Sequence, residues 1–229
     1  MSTPRLPVLT VVIPALDESA VIARVVAHAL DGADEVIVVD GGSRDDTVLR
    51  ASRAGATVVA APRGRASQMN AGAARASGSV LLFLHADCQL PADARDAVLQ
   101  AIGSGCHWGR FDVRLDSPRR SLAVVGALMN LRSRLTRIAT GDQAIFVERT
   151  LWEASGGYAP IPLMEDVELC ARLRRTARPA CLRQRVTVSA RRWEQRGVVR
   201  TVLEMWAWRA AYALGVSPAR LHRLYYGRR

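Results

Sequence analysis

The first half of the chain alternates short apolar runs with longer segments in which apolar residues recur every three or four positions. The runs predict buried strands, and the longer segments predict amphipathic helices. The predicted strands are residues 9–16, 35–40, 56–61 and 79–87, and the predicted helices are residues 18–30, a short helix ending near Ala54, 66–76 and 91–102. Near-continuous apolar strands separated by helices are typical of an α/β fold with a mostly parallel sheet covered on both faces.

The second half of the chain has a less regular pattern. Strands are predicted over residues 108–116, 143–149 and 181–188, and helices over residues 121–135, 165–175 and 198–214. The last of these helices is long and amphipathic and contains Trp206, Trp208 and Tyr212. The pattern shows no internal repeat and no convincing linker. We therefore predict one domain over residues 1–229, divided into residues 1–105, residues 106–196 and a C-terminal helical tail, residues 197–229.

The formal net charge of +11 is concentrated in the second half. Residues 1–105 carry 9 Arg and 11 acidic residues, whereas residues 106–229 carry 23 Arg and 10 acidic residues. This asymmetry favours an anionic partner, which could be a nucleotide, a lipid surface or a nucleic acid. Every basic residue is Arg and none is Lys. The arginines at positions 132, 134 and 137, and those within residues 172–178, are expected to form solvated helix faces.

The cysteines and the N-terminal sequence indicate a cytoplasmic protein. Four widely spaced cysteines contain no C-x-x-C pair, which favours reduced thiols over disulfides or a zinc cluster. The first ten residues lack the layout of a signal peptide. No stretch of about 18 apolar residues is free of charge, so a membrane-spanning helix is not expected.

Acidic side chains collect where the predicted strands end. Asp17 and Glu18 follow the first strand, Asp40 closes the second, and Asp87 closes the fourth. Ligands of open parallel sheets bind beyond these carboxyl ends. Helix N-capping could explain a single Asp, but it explains the set poorly, because Asp40 and Asp87 close the strands themselves. Alternate residues of an extended chain face the same way, so His85 and Asp87 could share a metal ion.

The two familiar phosphate-binding loops are missing from the sequence. No G-x-G-x-x-G motif follows the first strand, and without Lys the chain has no G-x-x-x-x-G-K-[ST] motif. Phosphate charge would then require a divalent cation held by carboxylates, arginine side chains, or both. Arg63 and Arg65, on either side of Gly64 before a predicted helix, fit this role, and they fit a solvated basic turn equally well.

Seven ordered motifs carry a resemblance to a known family. They are VVIPALDE, VIVVDGGSRDDT, GRASQMNAGAARA, LLFLHAD, TGDQAIFV, LMEDVEL and ARRWEQRG. Together they resemble an inverting family-2 glycosyltransferase of the GT-A fold over roughly residues 7–200. More closely, they resemble a small bacterial subgroup labelled for arsenosugar biosynthesis or as diaponeurosporenoate (carotenoid-acid) glycosyltransferases. The resemblance implies that residues 1–105 bind a nucleotide sugar and residues 106–196 bind the acceptor.

Site residues follow from the resemblance position by position. The donor-binding residues it implies are Pro14, Asp17, Glu18, Asp40, Gly42, Ser43, Arg63, Arg65, Asn70, His85, Asp87, Asp142, Arg192 and Trp193. The D-x-D element maps onto residues 85–87, so Asp87 and His85 are expected to bind Mg²⁺ or Mn²⁺. The acceptor-side pair is Glu165 and Asp166, with Asp166 as the general base. Ser189 replaces the Gln of the processive Q-x-x-R-W element, which disfavours polymer synthesis.

The resemblance implies a UDP-sugar donor, with GDP still open, and an unidentified small-molecule or lipid-like acceptor. Nucleic acid is not an expected partner, and the sequence does not indicate an oligomeric state. The tail helix is expected either to pack on the domain or to contact the inner face of the cell membrane. Two alternatives remain open: a nucleotidyltransferase of related fold, and a non-catalytic basic module that binds lipid or nucleic acid.

Overall fold

A computed structural model of the chain describes residues 8–227, and the predictions that fall on residues 1–7 and 228–229 lie outside it. The strands are β1 (Leu9–Ala15), β2 (Glu35–Asp40), β3 (Thr57–Ala60), β4 (Val80–Phe83), β5 (Cys88–Gln89), β6 (Trp108–Asp116), β7 (Ile145–Glu148) and β8 (Ala180–Ser189). The helices are α1 (Ile22–Leu30), α2 (Thr47–Arg53), α3 (Arg65–Arg75), α4 (Ala94–Gly103), α5 (Arg120–Thr136), α6 (Arg149–Ser155), α7 (Glu165–Thr176), α8 (Arg191–Arg196), α9 (Val198–Ala213) and α10 (Pro218–Tyr226). A short 3₁₀ helix spans Gly141–Gln143.

The strands form one sheet in the order β3-β2-β1-β4-β7-β6-β8-β5. The neighbours β3-β2, β2-β1, β1-β4 and β6-β8 are parallel, whereas β7 is antiparallel to both of its neighbours and β5 is antiparallel to β8. In the register, Ala15 lies beside Asp40, and Asp40 lies beside Ala60. The carboxyl ends of β1, β2 and β3 therefore meet at one edge of the sheet, as the sequence predicts.

Both faces of the sheet are covered by helices, which confirms the predicted α/β class. Alternate residues of β1 face opposite sides: Val11 and Ile13 pack with α1, α4 and α5, whereas Val12 packs with α3, α6 and α7. The approach of α3 is especially close. A Cβ added at Gly72 would lie 2.4 Å from a methyl carbon of Val12, so glycine lets this helix rest directly on the strands.

Two features differ from the predicted elements. The fourth strand ends at Phe83, and the chain then turns through residues 84–87 instead of continuing extended to Asp87. The turn is closed by the Cys88 N–H, which donates to the carbonyl oxygen of His85. Helices α6, α8 and α10 were not individually predicted. The predicted tail helix is confirmed as α9, and it is followed by a turn at Gly215 and by α10.

Two further observations concern the helices and the cysteines. None of the helices within residues 8–227 has the length and apolarity needed to cross a membrane. All four cysteines are free thiols, and two of them are buried in the core: Cys88 and Cys170.

Candidate active site

The loops that follow β1 and β2 are hydrogen-bonded to each other at the carboxyl edge of the sheet. The Asp40 carboxylate accepts from the backbone N–H groups of Gly42 (2.9 Å) and Ser43 (3.1 Å). The Ser43 hydroxyl accepts from the Asp17 N–H (2.9 Å), and the Asp17 carboxylate accepts from the Arg44 N–H (2.8 Å). Gly42 has φ +92°, a conformation that side chains rarely adopt. Four predicted donor-binding residues therefore form one connected pair of loops.

A buried glutamine fixes α3 to the same edge. The side-chain amide of Gln68 donates to the carbonyl oxygens of Ala15 and Val39, both at 2.8 Å, and so bridges the ends of β1 and β2. Because α3 begins at Arg65, this anchor sets the position of the turn over residues 63–65. The sequence interpretation assigned no role to Gln68. The sequence feature that could have indicated this role was a single long polar side chain on the apolar face of a predicted helix.

His85, Asp87 and Asp142 form a candidate metal centre. One ligand atom from each lies within 4.8 Å of those of the other two, and Nδ1 of His85 lies 3.3 Å from a carboxylate oxygen of Asp142. An imidazole nitrogen with two carboxylates is a donor set that suits Mn²⁺, and the carboxylates also suit Mg²⁺. The residues therefore fit a divalent cation. Asp142, predicted only as a donor-binding residue, is a third candidate ligand.

The His85 imidazole and the Asp142 carboxylate influence each other's protonation. Burial lowers the pKa of His85, but the hydrogen bond to Asp142 and the negative charges of Asp142 and Asp87 together outweigh burial and raise the pKa above its ordinary value. Burial raises the pKa of Asp142, but the same hydrogen bond and the positive charges of His85, Arg65 and Arg192 together outweigh burial and lower that pKa. The pair therefore favours an imidazolium beside a carboxylate, and a cation on Nδ1 would displace that proton.

The 3₁₀ turn at Gly141 joins the candidate metal centre to Asp166. The Gly141 N–H donates to one carboxylate oxygen of Asp166 (2.8 Å), and the Val167 N–H donates to the other (2.7 Å). Gly141 also packs so closely on His85 that an added Cβ would lie 2.1 Å from Nε2 of the imidazole. One backbone segment therefore contacts a candidate metal ligand and the candidate base.

Glu165 forms a buried ion pair with Arg65. Its carboxylate is 3% exposed, and one oxygen lies 2.9 Å from Nε of Arg65, whose side chain is 40% exposed. The other oxygen has no hydrogen-bond partner among the described residues. Burial raises the pKa of Glu165, against the opposing effect of Arg65. Glu165 therefore fixes the arginine that borders the cleft described next.

A cleft of about 990 Å³ opens beside the candidate metal centre. Seven of the predicted site residues line it: Pro14, Glu18, Arg63, Arg65, Asn70, His85 and Asp87. A smaller cleft of about 430 Å³ lies on the other side of Asp87, and Glu18 and Arg192 line it. Burial raises the pKa of Glu18, and the negative charge of Asp87 raises it further.

Three predicted donor-binding residues make contacts within the protein that account for their positions without a ligand. The Asn70 amide donates to the carbonyl oxygen of Tyr158 and accepts from its N–H, which ties α3 to the chain before α7. The Trp193 side chain is buried in the core. The Arg192 guanidinium lies 5.0 Å from the centre of the Tyr225 ring. Their packing roles are therefore clear, and their donor-binding roles remain predictions.

The expectation of solvated arginines on α5 and α7 is wrong for three of them. Arg132 lies 3.5 Å from the side-chain oxygen of Gln143, Arg134 forms an ion pair with Asp112 (2.6 Å), and Arg172 forms one with Glu168 (2.6 Å). Burial lowers the pKa of Arg132, and the negative charge of Asp166 opposes that shift. Arg132 therefore belongs to the surroundings of the candidate base.

Helix α10 contributes two residues to the larger cleft that the sequence interpretation missed. His222 and Tyr226 line it together with residues 63–65. The helix is held by Leu221, which is 1% exposed. A local signal for α10 was present, since Ser217 caps the helix and accepts from the Arg220 N–H, and Pro218 occupies its first position. No local signal indicated that α10 reaches the cleft.

Comparison with known proteins gives a family and two groups of relatives. The family described as Glycosyl transferase family 2 matches residues 10–145. The glucosyl-3-phosphoglycerate synthases of Mycobacterium tuberculosis and Mycolicibacterium paratuberculosis are each 36% identical over 92 residues. That segment makes up 34% of this chain and 28% of the relatives' length.

Solved structures share the fold. Glucosyl-3-phosphoglycerate synthase from Mycobacterium tuberculosis, in complex with Mg²⁺ and UDP, matches with a TM-score of 0.59 and 22% identity, over 80% of this chain and 70% of that one. A mannosyltransferase from Pyrobaculum calidifontis, in complex with GDP-Man and Mn²⁺, matches with a TM-score of 0.59 and 20% identity. The match covers 80% of this chain and 57% of that one. These likenesses confirm the predicted GT-A fold.

The contact between Gly141 and His85 generates a prediction. Gly141→Ala should lower the affinity for Mn²⁺ by about tenfold or more, because the added methyl group must displace the imidazole. Titration calorimetry with Mn²⁺ in the presence of a nucleoside diphosphate measures the change. Gly103→Ala is the matched control, since no heavy atom lies within 4 Å of its added Cβ. Equal affinity of both variants for Mn²⁺ would show that His85 is not a metal ligand.

Proposed function

Because the chain belongs to glycosyl transferase family 2, we propose that it transfers a sugar from a nucleotide-diphosphate donor to an acceptor hydroxyl, with inversion at the anomeric carbon. One observation carries the proposal. The His85–Asp87–Asp142 cluster and Asp166 are held on either side of a single backbone turn at Gly141. The same turn thus positions the site for a diphosphate-bound cation and the site for a base.

The donor occupies the larger cleft in this proposal. Mg²⁺ or Mn²⁺ held by His85, Asp87 and Asp142 would stabilise the negative charge of the leaving nucleoside diphosphate. Arg63 and Arg65, which line the same cleft, add positive charge. His222 and Tyr226 of α10 also line the cleft, and in this proposal they exclude water from the donor sugar. Relatives solved with UDP and Mg²⁺, or with GDP-Man and Mn²⁺, support this choice of ligands.

Asp166 activates the acceptor. Its carboxylate takes the proton of the acceptor hydroxyl while the oxygen forms a bond to the anomeric carbon. The bond between that carbon and the diphosphate oxygen breaks, and its electron pair leaves with the nucleoside diphosphate. Attack in line with the leaving group inverts the anomeric configuration. The two backbone N–H groups on Asp166 hold its carboxylate in one orientation, and Arg132 lies beside it.

The acceptor in this proposal is a small molecule or a lipid-like molecule, and the donor nucleotide is UDP. The sequence resemblance to the subgroup labelled for arsenosugar or carotenoid-acid glycosylation supports an amphiphilic acceptor. The exposed apolar residues of α9, which are Val199, Leu203 and Trp206, support contact with the inner face of the cell membrane. The protein acts in the cytoplasm in this account.

The alternatives explain fewer of the observations. A nucleotidyltransferase needs a Gly-rich loop with basic residues after its first strand, and this chain has residues 14–18 there, hydrogen-bonded to the loop at Ser43. A non-catalytic basic module does not explain why two carboxylates and an imidazole converge beside a cleft.

Replacing the proposed base should separate catalysis from donor binding. Asp166→Asn retains an oxygen that can accept from the Gly141 N–H but cannot take a proton, so kcat should fall by about 10²- to 10⁴-fold. Binding of the donor and Mn²⁺, measured by calorimetry, should stay within about twofold of wild type. Asp87→Asn is the matched comparison and should lose donor binding. Wild-type turnover by Asp166→Asn would show that another group is the base.

Nucleotide choice and metal use can be measured together by thermal shift. UDP should raise Tm when Mn²⁺ is present, because cation and diphosphate complete each other's coordination. GDP should raise it less, and UDP without a metal should have little effect. Stabilisation by a nucleoside triphosphate alone, followed by pyrophosphate release, would instead support nucleotidyl transfer. Stabilisation by UDP that is unaffected by a chelator would contradict the metal centre.

A further inference from the structure

Helix α5 exposes an unpartnered apolar stripe. Val124, Leu128, Leu131 and Leu135 are 58%, 57%, 52% and 76% exposed. At 100° per residue, their spacing keeps all four side chains within about 60° of one another around the helix. The opposite face of α5, which includes Leu122, is buried against the sheet. Four large exposed side chains in one line form a continuous surface, unlike the scattered exposed leucines of most proteins.

Exposed arginines stand at both ends of the stripe, alongside exposed Asp116 just before α5. No Asp or Glu occurs anywhere in α5, and exposed Arg119, Arg120 and Arg137 stand at its two ends. An apolar stripe edged by arginine complements an anionic bilayer, where the apolar side chains enter the interface and guanidinium groups reach the headgroups. The positive charge of residues 106–229 extends this complementarity beyond the helix.

The stripe lies beside the candidate base. Leu128 and Leu135 are the helical neighbours of Arg132, which reaches inward to Gln143 in the same 3₁₀ turn whose Gly141 N–H binds Asp166. Helix α9 carries a similar stripe, with Val199, Leu203 and Trp206 each at least 64% exposed.

We propose that the α5 stripe, Val124 to Leu135, binds the surface of an anionic lipid bilayer and so presents Asp166 to an acceptor carried in that bilayer. The second half of this statement rests on the proposed function. The first half does not, because binding of the stripe to a bilayer can be measured with neither donor nor acceptor present. It also extends the membrane contact proposed for α9 to a second helix on the acceptor half of the protein.

Vesicle co-sedimentation tests the surface directly, without donor or acceptor. Wild-type protein should bind vesicles of phosphatidylglycerol and phosphatidylcholine, and should bind phosphatidylcholine vesicles at least about tenfold more weakly. The double variant Leu128→Glu/Leu135→Glu should lose about tenfold or more in affinity for the anionic vesicles. Both positions are more than half exposed, so the fold should be retained.

The control variant is Val48→Glu/Leu49→Glu on α2. It adds the same two charges at exposed apolar positions, 41% and 48%, in the other half of the chain, and it should bind vesicles like wild type. Equal losses in both variants, or no binding by wild type, would overturn the proposal. So would a wild-type dimer in light scattering that Leu128→Glu/Leu135→Glu dissociates, since the stripe would then be a contact between two copies. A failed Asp166→Asn test would leave these binding results unchanged.

Discussion

The hydrogen bond from the Gly141 N–H to Asp166 is the contact on which the rest of the site depends. It links the 3₁₀ turn to the start of α7, while the same glycine packs against His85. Asp142, the next residue in that turn, completes the candidate metal centre. A shift of this turn would therefore move the metal ligands and the base together. Glycine at position 141 follows from this geometry, because any side chain there would collide with the imidazole.

Charge compensation explains the distribution of ionisable groups around this turn. The candidate metal centre has a histidine at the first position of the D-x-D element, so it is less anionic than one with two aspartates there, and we expect cation and diphosphate to bind cooperatively. Arg65 lines the same cleft and is held by buried Glu165. In the proposed complex this ion pair keeps one guanidinium near the phosphates without leaving an isolated charge in the interior. The proposed chemistry thus requires positive charge from the cation and from arginine in the cleft.

The sequence predicted the elements whose signal is local, and it missed what depends on tertiary contacts. Periodicity located β1, β2 and α9, the strand-end pattern indicated Asp87, and the resemblance supplied Asp166. The predicted strand continued extended to Asp87, whereas β4 ends at Phe83 and a turn brings His85 and Asp87 together. The cleft-facing position of α10 was unpredictable, because it depends on how the chain folds back at Gly215. The burial of Arg132 was hidden for the same reason, since helical periodicity does not reveal which polar residue faces a neighbouring loop.

The central claim is that one cation is shared by His85, Asp87 and Asp142 beside the base. Crystals grown with Mn²⁺ and UDP, measured at a wavelength with strong manganese anomalous scattering, test it most directly. The account predicts one strong anomalous peak within coordination distance of His85, Asp87, Asp142 and the diphosphate. A peak that contacts Asp40 or Asp17 instead would contradict it. So would well-ordered UDP in the cleft with no anomalous peak at these three residues.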